Sequence, residues 1–297
     1  MQQRKLKIYF TSDVHGYFYP TTYGDMTEKN VGLFGCAGNF KKDEDTLILD
    51  GGDILQGSAF AYYCRQVADS PEVIADIMND CGYDYYTLGN HDFNYGLEYQ
   101  AAYRSRNNGV CVCQNITDEA GNTLFPWKLH TMKNGLRVGI VGIVTDYVNI
   151  WEKEENLKGI HITDPFEAAK NALAQMKEQT DLTICIYHGG FECDLESGET
   201  LSQTTENVGY RICKELDFDI LLTGHQHMSV TGRDISGTYT VQPCDNAKEY
   251  QYLEVTMTDH EKSIRSELRQ SDAAKGTVLA DKYRCLLYTS PSPRDTR

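Results

Sequence analysis

Eight histidines occur in this chain of 297 residues, and five stand in short polar motifs that each follow an apolar run. Those motifs are Asp13-Val14-His15, Gly89-Asn90-His91-Asp92, His188-Gly189-Gly190 and Gly224-His225-Gln226-His227. A fifth block, Gly52-Asp53, has the same setting and adds a carboxylate. Carboxylates, imidazoles and an amide oxygen are ligands for hard or borderline divalent metals. Two such ions side by side are a device for in-line attack of water on phosphorus.

Each motif offers a specific chemistry. Asp13 and His15 are two residues apart at a strand end, where side chains at i and i+2 of an extended chain share a face. Asp53 follows two glycines that allow a sharp turn and close approach, and its two oxygens can bridge two cations. Asn90 offers an amide oxygen, and His91 beside it is placed to meet substrate, stabilising developing charge or protonating a leaving alkoxide. His188 ends an apolar run, and His225 and His227 repeat the i, i+2 spacing after another. Taken singly, each block also has an ordinary structural explanation as a turn or a satisfied core residue. His130, His161 and His260 lack such settings and read as surface or structural residues.

The apolar runs must position these groups. Leu6–Thr11, Thr46–Leu49, Asp84–Leu88, Val110–Gln114, Leu136–Val144, Leu182–Tyr187 and Phe218–Leu222 are expected strands, short and mostly apolar as buried strands are. Helices are expected over 32–42, 72–79, 96–106, 163–177 and 208–215. Ser70-Pro71-Glu72 and Thr163-Asp164-Pro165 carry helix-start signals. From Thr238 onward an alternating pattern suggests antiparallel strands. The fold class is α/β, with helices covering a sheet core.

Composition limits the partners. The net charge is −15, from 28 basic and 43 acidic residues. Binding a long polyanion usually needs the opposite sign, so long nucleic acid is a poor partner, whereas a small phosphate ester held through metals is compatible. No run of 18 apolar residues occurs, and the N-terminus lacks an apolar signal region, so neither a membrane span nor secretion is expected. Ten scattered cysteines without a CxxC pair read as reduced thiols of a cytoplasmic protein, or of an extracytoplasmic one if the N-terminus is incomplete. Cys285–Arg297 breaks the preceding pattern and reads as a non-native or disordered tail.

In sequence order the five blocks resemble the calcineurin-like metallophosphoesterase superfamily, across residues 8–228. Thr11–Gly16, Asp50–Ser58 and Gly89–Leu97 are similar to its 5′-nucleotidase branch, and most similar to 2′,3′-cyclic-nucleotide 2′-phosphodiesterases. The resemblance implies a four-layer sandwich of two mixed β-sheets flanked by helices. It implies a catalytic domain over 1–270, the start of an interdomain linker over 271–284, and a C-terminal nucleoside-binding domain missing from this chain. By matching position, Asp13, His15, Asp53 and His227 would hold one metal. Asp53, Asn90, His188 and His225 would hold the second, with Asp53 bridging. His91 would be the catalytic histidine. Three residues later many 5′-nucleotidases carry an aspartate paired with it. Here the position is Asn94, which can orient an imidazole but cannot supply charge.

The expected function is phosphoester hydrolysis on nucleotides, as a 5′-nucleotidase or a 2′,3′-cyclic-nucleotide phosphodiesterase, by in-line attack of a metal-bridging water. The ions would be Mn, Zn, Fe, Co or Mg, with mixed N/O ligation favouring the transition metals. Alternatives are a phosphodiesterase or phosphoprotein phosphatase of the same superfamily, or a non-catalytic metal-binding interaction module.

Overall fold

The computed structural model describes residues 3–21, 27–258 and 261–283. The strands are β1 (Arg4–Thr11), β2 (Thr46–Asp50), β3 (Tyr85–Tyr86), β4 (Val110–Cys111), β5 (Cys113–Asp118), β6 (Thr123–Phe125), β7 (Lys128–Thr131), β8 (Arg137–Val144), β9 (Ile160–Ile162), β10 (Leu182–His188), β11 (Ile220–Thr223), β12 (Val230–Ile235), β13 (Thr238–Gln242), β14 (Glu249–Met257) and β15 (Lys262–Gln270). The helices are α1 (Leu33–Ala37), α2 (Ala59–Gln66), α3 (Glu72–Cys81), α4 (Gly96–Arg106), α5 (Val148–Trp151), α6 (Pro165–Met176), α7 (Gly209–Glu215) and α8 (Ala273–Lys282).

One sheet has the order β15-β14-β1-β2-β3-β4, and a second has β12-β13-β11-β10-β8-β7. In the first, β1 to β4 run parallel and β14 and β15 close one side antiparallel. In the second, β8, β10, β11 and β13 are parallel, with antiparallel edges at β7 and β12. A small antiparallel sheet, β6-β5-β9, packs beside β8, with the Asn115 amide of β5 bonded to both main-chain groups of Val144.

Alternation along the strands builds the layers, because successive side chains leave opposite faces. Leu6, Ile8 and Phe10 of β1 and Leu47 and Leu49 of β2 meet Val138, Ile140, Ile184, Ile186 and Leu222 of the other sheet in one buried cluster. The intervening Tyr9 and Ile48 face outward against Ile74, Ile77 and Met78 of α3. Val141, Ile143, Cys185 and Tyr187 face outward on the other side, against Phe166, Ala169, Leu173 and Met176 of α6. Helices, sheet, sheet and helices make four layers, the expected fold class.

Local signals set several boundaries. Asp164 caps α6 by accepting from the Glu167 N–H, with Pro165 in its first turn. Helix α3 starts at Glu72, whose N–H donates to Ser70 Oγ. The single strand expected over Val110–Gln114 is instead two strands in different sheets, broken at Val112, which is buried between the large sheets. The run expected as a strand over Asp84–Leu88 pairs only at Tyr85–Tyr86. Helix α8 docks on α1, with Ser271 Oγ donating to the Gly32 carbonyl and Tyr283 stacked against Phe34. Residues 285–297, expected as a tail, and His260 lie outside the described residues. The nine described cysteines are free thiols, and among the described residues no helix is long and apolar enough to cross a membrane.

Candidate metal centre

The loops that follow β1, β2, β3, β10 and β11 meet at one edge of the sandwich. These are the carboxyl ends of parallel strands, where α/β sheets gather their ligands. Main-chain bonds knit the loops together. The Asp13 N–H donates to Gly52 O at 2.9 Å, the His15 N–H to Asp53 O at 2.7 Å, and the Gly224 N–H to Gly189 O at 3.3 Å. Two glycines permit the closeness. A Cβ on Gly52, at φ +93°, would stand 2.3 Å from Gly89 N, and one on Gly89 would stand 2.2 Å from Asp53 Oδ1.

Asp13, His15, Asp53, His225 and His227 all adopt positive φ, between 53° and 71°. In non-glycine residues this conformation costs about 1–3 kcal/mol each and persists where surrounding structure imposes it. Asp13 and His15, and likewise His225 and His227, therefore sit in tight turns beyond the strand ends and do not share a face of extended chain, as their spacing had suggested. One consequence is that His225 and His227 diverge: His225 faces Asn90 and Glu206, whereas His227 faces Asp13 and His15.

The structure brings all seven expected ligands into one cage. His188 Nε2 is 3.0 Å from Asn90 Oδ1, 3.3 Å from Asp53 Oδ2 and 4.0 Å from Asp13 Oδ1. His225 Nδ1 is 2.9 Å from Asn90 Oδ1. His15 Nε2 is 3.1 Å from His227 Nε2, 3.9 Å from Asp53 Oδ2 and 4.0 Å from Asp13 Oδ1. His227 Nε2 is 3.4 Å from Asp13 Oδ1. Two groups, Asp13–His15–His227 and Asp13–Asp53–His188, are compact enough to hold an ion each. Donors about 2.0–2.2 Å from a shared ion stand roughly 3.0–3.5 Å apart, so these separations fit metal ligation. Asp13 belongs to both groups, and Asp53 of the second reaches within 3.9 Å of His15 in the first.

Outer contacts fix which nitrogen faces inward. The Nδ1 of His188 lies 2.7 Å from Gly51 O and that of His15 lies 2.9 Å from Gln56 O. Each Nδ1 therefore donates to a main-chain carbonyl, leaving Nε2 to bind. His225 is turned the other way: Nδ1 faces the cage and Nε2 faces Glu206 Oε1 at 3.0 Å.

The electrostatics call for positive charge. Asp13, Asp53 and His188 are at most 1% exposed. Burial opposes the ionisation of Asp53, yet His188 and His15 hold its carboxyl well below the usual range. Burial likewise opposes protonation of His188, but Asp53 and Asp13 push it up to about 10. His227 is raised by its bond to Asp13, and His225 is lowered by burial and by His188. Two buried carboxylates that retain a proton on a buried imidazole suit a cation in its place.

His91 sits at the cage rim. Its main-chain N–H donates to Asp53 Oδ1 at 2.7 Å, and its ring lies 5.4 Å from that of His15. Its Nδ1 is 2.7 Å from Asn94 Oδ1. Beside it opens a cleft of about 470 Å³ lined by Asn94, Trp151, Glu152, Glu206 and His225 among others, with Trp151 stacked on His225 at 5.5 Å.

Sequence reasoning missed three carboxylates. Asp92, fully buried, accepts from the main-chain N–H groups of Asp53, Ile54, Leu55 and Gly89, and so shapes the bridging loop. Its place in the Gly89–Asp92 block was the available signal. Glu206 and Glu152 come from segments with no motif. Asp50, by contrast, stays outside the cage and supports its loop, accepting from the Gly52 N–H at 3.0 Å and from Thr11 Oγ1 at 2.7 Å. His130 bonds Tyr85 and His161 is exposed, both away from the cage.

The calcineurin-like phosphoesterase family model matches residues 6–229. The trifunctional nucleotide phosphoesterase protein YfkN of Bacillus subtilis is 29% identical over 252 residues, covering 76% of this chain and 17% of that protein. The 2′,3′-cyclic-nucleotide 2′-phosphodiesterase/3′-nucleotidase of Yersinia enterocolitica is 26% identical over 262 residues, covering 82% of this chain and 39% of that protein. The chain thus spans less than half the length of either curated relative. A Staphylococcus aureus protein provisionally named 5′-nucleotidase, solved in complex with alpha-ketoglutarate, matches with a TM-score of 0.84 at 30% identity, over 93% of this chain and 58% of that one.

Proposed function

Because this chain belongs to the calcineurin-like phosphoesterase family, whose members hydrolyse phosphoric esters with two metal ions, we propose that its substrates are nucleotides. The two activities that fit are 5′-nucleotidase and 2′,3′-cyclic-nucleotide phosphodiesterase. The observation that carries this reading is the convergence of seven metal-ligand side chains with His91 at their rim, beside an open cleft large enough for a sugar phosphate. The names of the Bacillus and Yersinia relatives support the nucleotide assignment.

In this reading Asp13, His15, His227 and Asp53 hold one ion, and Asp53, Asn90, His188 and His225 hold the other. When bound, the ions supply Lewis-acid charge for the phosphoryl oxygens and make water acidic enough to attack. Asp53 keeps both sites close, and Asp92 holds Asp53 through the main chain. His91 presents Nε2 to the cleft, where it stabilises charge on the phosphoryl group and gives a proton to the leaving oxygen. Trp151 and Val148 provide an apolar wall for the rest of the substrate.

The test is a turnover comparison on 2′,3′-cAMP, AMP, bis-p-nitrophenyl phosphate and a phosphopeptide, with Mn²⁺ supplied. Fastest turnover on one of the two nucleotides is expected. A preference for the phosphopeptide would reject the nucleotide assignment, and no turnover on any of the four would favour a metal-binding module.

A further inference from the structure

Asparagine at position 94 gives His91 no charge, but the hydrogen-bond chain does not stop there. Asn94 Nδ2 lies 2.7 Å from Glu152 Oε2. The other Glu152 oxygen accepts from the Lys153 N–H at 2.7 Å and from Asn156 Nδ2 at 2.9 Å. Asn156 Nδ2 also reaches the Asn94 carbonyl oxygen at 3.2 Å. Burial opposes the ionisation of Glu152, but its bonds from Asn94, Lys153 and Asn156 hold its carboxyl below the ordinary range.

A carboxylate only accepts, so the Asn94 amide must turn its NH₂ toward Glu152 and its oxygen toward His91. That oxygen then requires a proton on His91 Nδ1, which leaves Nε2 as the working nitrogen of the cleft. The N–H bond to a carboxylate also polarises the amide and strengthens its oxygen as an acceptor. Residues 58 positions apart are thereby joined in one line, His91–Asn94–Glu152.

We infer that Glu152 is the positioning residue of His91, setting the orientation of Asn94 and passing its negative charge through that amide. The inference rests on the reading of His91 as the leaving-group acid. In that step the P–O bond breaks with its electron pair on the leaving oxygen, which takes the proton of His91 Nε2. The Nδ1 proton stays on the imidazole, shared with Asn94, and the proton lost by the attacking water balances the transfer. Glu152 does not touch the substrate oxygen.

Glu152→Gln tests this, because a glutamine amide presents either an acceptor or a donor to Asn94. The Mn²⁺-loaded chain is assayed on p-nitrophenyl phosphate, whose leaving group departs readily without a proton, and on phenyl phosphate, whose leaving group needs one more. The kcat loss on phenyl phosphate is expected to exceed that on p-nitrophenyl phosphate by about tenfold. Adding Asn94→Asp to Glu152→Gln returns a carboxylate next to His91 and should recover most of the difference. In the Mg²⁺-loaded chain, ¹⁵N spectra should show neutral His91 held in the Nδ1–H form in the parent and a mixture of Nδ1–H and Nε2–H forms in Glu152→Gln. Equal losses on the two substrates, no loss, or an unchanged His91 spectrum would overturn the role of Glu152. His91→Ala without leaving-group dependence would instead overturn the reading of His91 beneath it.

Discussion

The candidate metal cage and its rim hold their imidazoles differently. In the cage, His188 and His15 are pinned through Nδ1 by main-chain carbonyls of Gly51 and Gln56. At the rim, His91 is pinned by the Asn94 side chain, itself held by Glu152. Asp13, His15, Asp53 and His188 of the cage are buried and five cage residues take left-handed turns, whereas His91, Asn94 and Glu152 of the rim are partly or fully exposed. A group that only holds an ion benefits from a rigid main-chain partner. A group that moves a proton benefits from a partner whose orientation and charge can be set by another side chain. His225 stands between the two types, a cage imidazole whose outer nitrogen meets the carboxylate of Glu206.

The strongest way to break this contrast is Asp53→Ala. It removes the carboxylate shared by both sites, and metal affinity should fall by more than about 100-fold, beyond what loss of an outer partner costs. Elemental analysis after gel filtration reads it; full occupancy would show that Asp53 is dispensable to the cage. His91→Ala should do the reverse, cutting kcat by about 100-fold while metal content stays at parent level. Loss of metal in that variant would merge rim and cage into one unit.

Asp50 sharpens the contrast through stability. Burial pushes its carboxyl up to about 7, above its unfolded value, so folding takes up a proton between the two. Its contribution is present at low pH and is lost as pH rises toward 7, then stays level. Asp50→Asn keeps an acceptor for the Gly52 N–H and removes that slope. Denaturation midpoints at pH 5 and 7 should show the stability difference between parent and variant changing by about 2 kcal/mol. The same change at both pH values would mean that Asp50 is ionised throughout. The smallest effect is expected from Glu206→Gln, about a tenfold loss of metal affinity by titration calorimetry. An unchanged affinity would place His225 with the main-chain-pinned imidazoles in behaviour.

Much of this was legible in the chain. The buried parallel strands announced themselves as short apolar runs, and the order of the five polar blocks named every cage residue. Boundaries failed where local signals were ambiguous. Val110–Gln114 reads as one strand because β-type residues fill it, yet the chain leaves one sheet and enters another at Val112. Edge strands such as Lys128–Thr131, Ile160–Ile162 and Val230–Ile235 carry mixed polar residues and no strong period, and they form because a neighbour offers its edge.

The sequence by itself determined which side chains could bind metal and that strand ends would carry them, because residue type and strand period are local properties. Tertiary structure alone decided the left-handed turns, the inward nitrogen of each imidazole, and the partners Asp92, Glu206 and Glu152. Those depend on main-chain groups and carboxylates brought together from distant segments, and no spacing along the chain encodes a distance across the fold.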